Sequence, residues 1–462
     1  MKPLMMLSYA SISMLLLASG YGQPGTATTA ASSINDTGTV QLTLPGGQIL
    51  ANQENGIIHA RGIKYATSKR FRKPVPAEPW TEIRDYTQPA PICPQNPSRF
   101  DFLTGPLTGN RTQSEDCLRV SVAAPIDASN LPVMVFFHGG AYLSGGGDID
   151  PYIPVPLAEG GAVVVTVTHR LGLLGYLPIP GVAPANLGLF DQIEALRWVQ
   201  KNAASFGGDP GSVTLFGQSA GGDSVYALLA AKHTEGLFHR AILESAPLGR
   251  LNETTRDDMT AAMSEYAAAN ISSSTAPPTL EQLLALQTAV LLVARPIDPT
   301  ILAYGPVFGQ SPLPALPDAS HAVNSAAKRV PVFIGYNKDE GSAFAIIDPS
   351  QTAAWYKTNV FEDGANQLAK NITDATGSTP PMYHFNWSPA GSPWGAAHTM
   401  ELPFLLGGWD AWAQAPMLNG SESMEVVESL GREVKDLWIA FASGEDLSGR
   451  LFVMDEEFEF SR

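Results

Sequence analysis

Cysteine is nearly absent from this chain, with two residues, Cys93 and Cys117, in 462. A fold stapled by many disulfides is therefore excluded. Histidine is scarce too, with eight residues and no H-E-x-x-H pattern, so the sequence carries no zinc-hydrolase signature. Basic residues are few. Lys and Arg total 28 against 44 Asp and Glu, a net charge of -16. An acidic protein is repelled by nucleic acid and by anionic membrane surfaces, and neither is expected as a partner. No run after the first residues reaches the ~18 apolar positions that a membrane helix needs. The C-terminal residues Phe458 to Arg462 form no hydrophobic anchoring tail, so no stable membrane anchor is expected. There is no internal repeat, and no Gly-Lys-Ser/Thr that would make a glycine-rich turn a phosphate loop.

What is present suits a large enzyme. Hydrophobic residues make up 44% of the chain, enough for a sizeable core. Residues 1–20 read as a signal peptide: Lys2, a short apolar stretch from Leu4 to Leu17, then the small residues Ala18-Ser19-Gly20. The alternatives are an uncleaved anchor or an N-terminal strand. Residues 21–37, rich in Thr, Ala, Ser and Gly, read as a flexible lead-in. Sequons at Asn35, Asn110, Asn252, Asn270, Asn371, Asn386 and Asn419 favour a secreted, extracellular glycoprotein. In that oxidising setting Cys93 and Cys117 read as one disulfide. It would close the loop 94–116 and stabilise by roughly 3 kcal/mol on the loop-entropy model. Two buried thiols are the plain alternative.

Short alternating strands are predicted at Thr39–Leu44 and within Gln48–Ile63. Continuous apolar strands follow at Leu118–Ala123, Pro132–Phe137, Ala162–Thr168, Val213–Phe216, Arg240–Leu243, Val332–Gly335 and Met382–Phe385. Helical spacing runs through Leu189–Ala203, Asp257–Ala268, Leu280–Val293 and Met424–Ala442. This alternation predicts an α/β fold: a mostly parallel central sheet with helices on both faces and a short antiparallel N-terminal edge. One catalytic domain is expected over residues 38–462.

The chemistry concentrates at Gly217-Gln218-Ser219-Ala220-Gly221, a G-x-S-x-G directly after the run Val213 to Phe216. Small residues allow a sharp turn from strand to helix, and the turn lifts the serine hydroxyl clear of the backbone. A chance match on a surface turn is the bland reading, which the flanking strand and helix argue against. A second turn, His138-Gly139-Gly140-Ala141-Tyr142, follows the strand Pro132–Phe137 and could aim backbone N–H groups at an oxyanion.

These stretches, with Gly62 to Ala66, Ser114 to Leu118, Arg170-Leu171-Gly172, Asn186 to Gln192, Phe206 to Pro210, Gly335 to Gly341 and His398 to Gly407, resemble the type-B carboxylesterase/lipase family of α/β-hydrolases, which includes cholinesterases and fungal lipases. The resemblance spans roughly residues 38–445. It implies a triad of Ser219, Glu340 and His398, in the chain order of α/β-hydrolases. Asp339 is the rival acid. His384, the other histidine after Glu340, sits inside an apolar strand run. The resemblance further implies an oxyanion hole from Gly140, Ala141 and Ala220, a structural His138, and a place near the triad for Ser245. It implies no cofactor and no metal.

Departures from the family are informative. Gln218 stands where many relatives carry glutamate. The loop 94–116 has Phe100 and Phe102 but no tryptophan, which counts against a choline ester, because a quaternary ammonium prefers an aromatic face. The stretches Leu248 to Arg329 and the last residues are short, and both shape the pocket rim. The expectation is a secreted serine esterase acting through an acyl-enzyme on soluble short-to-medium acyl esters. The alternatives are an interfacial lipase, or a non-catalytic adhesion module on the same fold. Oligomeric state and natural ester are not written in the sequence.

Overall fold

The architecture is taken from a computed structural model of the chain. It describes residues 34–35 and 38–461, apart from 251–252, 273–275, 299–301, 421 and 456–458. The expected signal peptide, nearly all of the lead-in and the sequon at Asn252 lie outside the described residues.

A 14-stranded sheet forms the spine. The strands that matter here are β1 (Thr39–Leu44), β2 (Gly47–Glu54), β3 (Ile57–Lys64), β4 (Arg119–Pro125), β5 (Leu131–Phe137), β6 (Val163–Thr168), β7 (Gly208–Gln218), β8 (Arg240–Glu244), β9 (Val332–Asn337), β10 (Met382–Phe385) and β11 (Leu451–Met454). Their spatial order is β1-β2-β3-β4-β6-β5-β7-β8-β9-β10-β11. Pairing is antiparallel from β1 to β6 and parallel from β6 through β5 to β11. The antiparallel edge is thus longer than expected, because β2 and β3 are full strands of eight residues joined by the tight turn at Asn55-Gly56.

Side chains alternate across the sheet, as the two-residue period of a strand requires. Val133, Val135 and Phe137 of β5 enter one core, with Leu189, Ile193 and Leu196 of helix α1 (Leu187–Asn202) and Val225 and Leu228 of helix α2 (Ala220–Ala230). Met134 and Phe136 enter the opposite core, with Val434, Trp438 and Phe441 of helix α3 (Ser423–Ala442). Helices therefore cover both faces. That is why the parallel strands read as unbroken apolar runs.

Parallel strands end on the same side. Residues following β5, β7, β8 and β9 consequently meet at one edge of the sheet, where open α/β sheets place their ligands. The register sets the neighbours: Phe137 pairs with Gly217, Gln218 with Glu244, and Glu244 with Gly335. Cys93 and Cys117 are joined in a disulfide, with Cα atoms 5.0 Å apart and both residues fully buried.

Candidate active site

Ser219 lies between β7 and α2 with φ 57° and ψ -120°, a conformation that a non-glycine residue rarely adopts. Such a residue costs on the order of 1–3 kcal/mol and needs surrounding structure to hold it. Here the hold is visible. Ser219 N–H donates to Glu244 O at 2.8 Å, and Asp223 N–H donates to Ser219 O at 2.9 Å. The turn is so tight that a β carbon on Gly221 would sit 1.9 Å from Phe137 O. Only glycine fits there.

The second turn wraps against the first. Gly140, Ala141 and Tyr142 all have positive φ, at 108°, 54° and 59°. Gly140 O accepts from Leu143 N–H and Ser144 N–H, at 2.9 and 3.1 Å, which commits that carbonyl to its own turn. Among the described residues, no protein acceptor pairs with the N–H groups of Gly140, Ala141 or Ala220. At Ala220 this follows from helix geometry, since the first N–H groups of a helix have no partner within it. His138 is structural: Nδ1 bonds Gly139 O at 2.8 Å, and the ring stacks on His169 with centroids 4.7 Å apart. Burial lowers the pKa of both imidazoles, to about 3 and about 4, so both are neutral donors and stackers rather than proton carriers.

His398 is held from behind. Its Nδ1 lies 2.5 Å from Glu340 Oε2, while Glu340 Oε1 accepts from Asn337 N–H at 2.7 Å. Nε2 faces Gln218, with Gln218 Nε2 3.4 Å away. Ser219, Glu340 and His398 are all buried. The rival acid, Asp339, does something else. Its Oδ2 accepts from Ala396 N–H at 3.0 Å and so shapes the loop that carries His398. His384 is a half-buried strand residue whose ring packs 4.5 Å from that of Tyr336.

Three features were not anticipated from the residues. Glu401 is fully buried, accepts from Asn337 Nδ2 at 2.5 Å and from Ser245 Oγ at 3.1 Å. Its carboxyl is raised to about 7, chiefly by burial and then by the charge of Glu340. Glu244, also fully buried, accepts from Trp438 Nε1 at 2.6 Å and is raised to about 8 by burial and by Glu401. The third is an aromatic shell. Phe361, Phe344 and Phe100 stand 4.9, 5.1 and 6.2 Å from the His398 ring, and Ala141, Leu302 and Tyr356 belong to the same apolar cluster. Ile347, which packs against this cluster, also lines a separate cavity of about 310 Å³ together with Arg99, Arg295, Asp298 and Asp348. The only sequence signal for Glu401 was its place three residues after His398.

A strained serine elbow, an imidazole backed by a buried carboxylate and a loop of unpaired N–H groups are the parts of a site for acyl transfer. Comparison with known proteins agrees. Residues 38–380 match the model of the carboxylesterase family. The chain belongs to that family. It is a carboxylic ester hydrolase of the α/β-hydrolase fold. It is 33% identical over 442 residues to the para-nitrobenzyl esterase of Bacillus subtilis, covering 87% of this chain and 89% of that one. It is 35% identical over 422 residues to a Rhodococcus erythropolis protein named "Probable N-octanoylanthranilate hydrolase AqdA2", covering 87% and 92%. A Geobacillus stearothermophilus carboxylesterase, EST55, superposes with a TM-score of 0.73 at 26% identity, over 91% of this chain and 97% of that one. Among the described residues no group of three or more His, Cys, Asp or Glu is arranged to hold a metal ion, and no helix is long and apolar enough to cross a membrane.

Proposed function

We propose that this carboxylesterase works through a Ser219 acyl-enzyme, with His398 as base and Glu340 as its acidic partner. The observation that carries the reading is the 2.5 Å contact between His398 Nδ1 and Glu340 Oε2 beneath the strained Ser219 elbow. His398 Nδ1–H donates to Glu340, which leaves the Nε2 lone pair as the base. Ser219 Oγ attacks the ester carbonyl and its proton passes to His398. The N–H groups of Gly140, Ala141 and Ala220 bind the oxyanion. The C–O bond to the alcohol breaks, and the alcohol leaves with the proton from His398. Water, deprotonated by the same imidazole, then releases the acid and restores Ser219.

The substrates proposed are soluble esters with short-to-medium acyl chains. Support comes from the aromatic shell of Phe100, Phe344 and Phe361 at His398, which suits an apolar acyl group. The loop 94–116 closes over this shell through Phe100 and is pinned by Asn96 Nδ2 on Leu284 O at 3.2 Å. We also place the protein outside the cell, on the signal-like residues 1–20, the sequons and the buried disulfide. An adhesion role without catalysis is disfavoured, because the chain keeps Ser219, Glu340 and His398. The test is labelling by a fluorophosphonate, with the adduct mapped by mass. It is paired with rates on nitrophenyl esters graded from acetyl to palmitoyl, and on N-octanoyl anilides. An adduct on any residue other than Ser219 overturns the mechanism.

A further inference from the structure

Gln218 is 1% exposed, directly precedes the nucleophile, and points its carboxamide at the catalytic imidazole. We propose that Gln218 is a positioning residue: its amide N–H occupies the lone pair of His398 Nε2 in the resting enzyme and favours the neutral imidazole. The inference rests on His398 being the base.

The assignment of atoms follows from the opposite side of the ring. Nδ1 faces the Glu340 carboxylate at 2.5 Å, and a carboxylate only accepts, so Nδ1 carries the proton. Nε2 of the neutral ring is then an acceptor. The Gln218 atom 3.4 Å from it is the amide nitrogen, which only donates. The amide is also held in place. A β carbon built on Gly139 would lie 2.8 Å from Gln218 Oε1 and 3.2 Å from Ser219 Cβ, so the oxyanion loop packs directly on this side chain. One carboxamide thus touches the base on one side and the oxyanion loop on the other.

The length of the contact matters. At 3.4 Å it is weak, since strong N–H donors sit near 2.9–3.0 Å. A contact this weak yields at little cost when the serine proton arrives. An uncharged donor on the lone pair stabilises neutral imidazole, whereas a carboxylate there would stabilise imidazolium. The charged groups facing His398 are Glu340 on the Nδ1 side and, further back, Glu401, whose charge also acts on Glu244. Asp339 braces the same loop through Ala396. The other walls are the rings of Phe100, Phe344 and Phe361. Glu340 meets the ring at Nδ1 and Gln218 at Nε2, so a charge introduced at position 218 would act on the nitrogen opposite Glu340.

The experiment compares Gln218→Glu and Gln218→Met with the wild type in two readouts. The first is the titration of ¹³C-labelled His398 by NMR in a Ser219→Ala background, with His398→Gln identifying the signal. The second is the acid limb of kcat/KM in the active enzymes. Gln218→Glu should raise the His398 pKa by about one unit or more, and Gln218→Met by a smaller upward step. The acid limb should move equally, and melting temperatures serve as the folding control. Titration and limb both within about 0.3 unit of wild type in the folded variants would overturn the inference. If Gln218→Glu does not fold, Gln218→Met alone decides. A titration that moves while the limb stays would leave the contact standing and remove His398 as the base.

Discussion

Trp438, on the helix Ser423–Ala442, donates its indole N–H to Glu244 Oε1 at 2.6 Å, tying that helix to the strand end behind Ser219. The other oxygen of Glu244 is buried with no partner among the described residues. Burial and the neighbouring Glu401 raise this carboxyl from 4.5 to about 8. In the unfolded chain it loses its proton near pH 4.5, while the native state keeps it to about pH 8. The native state therefore binds the extra proton across that window, and stability falls as pH rises through it. Gln at 244 cannot ionise and still offers an oxygen to Trp438.

The expected outcome is that Glu244→Gln gains stability over the wild type between pH 5 and pH 8, by on the order of a few kcal/mol, with no further change above. Glu401 stays in both proteins, and because its charge acts on Glu244 the difference at each pH reports the Glu244–Glu401 pair. Urea unfolding midpoints at intervals of one pH unit measure it. A difference that does not vary with pH would show that Glu244 ionises alike in both states.

Ser219→Ala should fold normally and lose nearly all ester hydrolysis. Loss of such a nucleophile typically costs several orders of magnitude, so turnover above ~1% of wild type would rule Ser219 out. Circular dichroism and melting temperature check that the fold survives.

His398→Ala should be as damaging as Ser219→Ala, and Glu340→Gln somewhat less so. His384→Ala should be nearly neutral, because its ring packs on Tyr336 rather than on Ser219 or Glu340. Wild-type kcat/KM should rise with pH through a single ionisation as the imidazole loses its proton. Inactivity of His384→Ala with activity in His398→Ala would reverse the assignment.

The legible part of this site was local. Gly217 to Gly221 and His138 to Ala141 announce their turns because tight backbone approaches demand glycine, and chain order then points to Glu340 and His398. Glu244, Asn337 and Glu401 were illegible, since their partners come from distant strands and a buried carboxyl reads in sequence like a surface one. The strand Leu451–Met454 was missed because four residues carry too little pattern. The helix Asp363–Thr376 was missed although Ala365, Leu368, Ala369 and Ile372 mark one face, because polar residues dominate its remaining surface. The antiparallel N-terminal block is longer than its sequence suggests, because Gly46, Gly47 and Gly56 look like breaks. They are hairpin turns between full strands.

Soluble esters should outrun emulsified long-chain triglyceride. An interfacial lipase needs a mobile lid whose inner face is broadly apolar, and the loop 94–116 is the natural candidate. Its apolar residues are already committed. Leu103 is fully buried, and Phe100 packs edge-on against Phe344 with ring centres 5.1 Å apart. Phe102 and Leu107 pack against the core as well. Asn110 is exposed on the same loop, and a glycan there would hold that part in water. Opening the loop would break these contacts, and the area gained on lipid contributes only about 25 cal/mol per Å². The outer rim does offer Leu292 and Ile346, 64% and 57% exposed, but two side chains make a small patch. Rate against substrate concentration, read for tributyrin and triolein across their solubility limits, should therefore saturate below each limit and show no step at it. A sharp rise as triolein passes into emulsion, to rates above the best soluble ester, would establish an interfacial lipase instead.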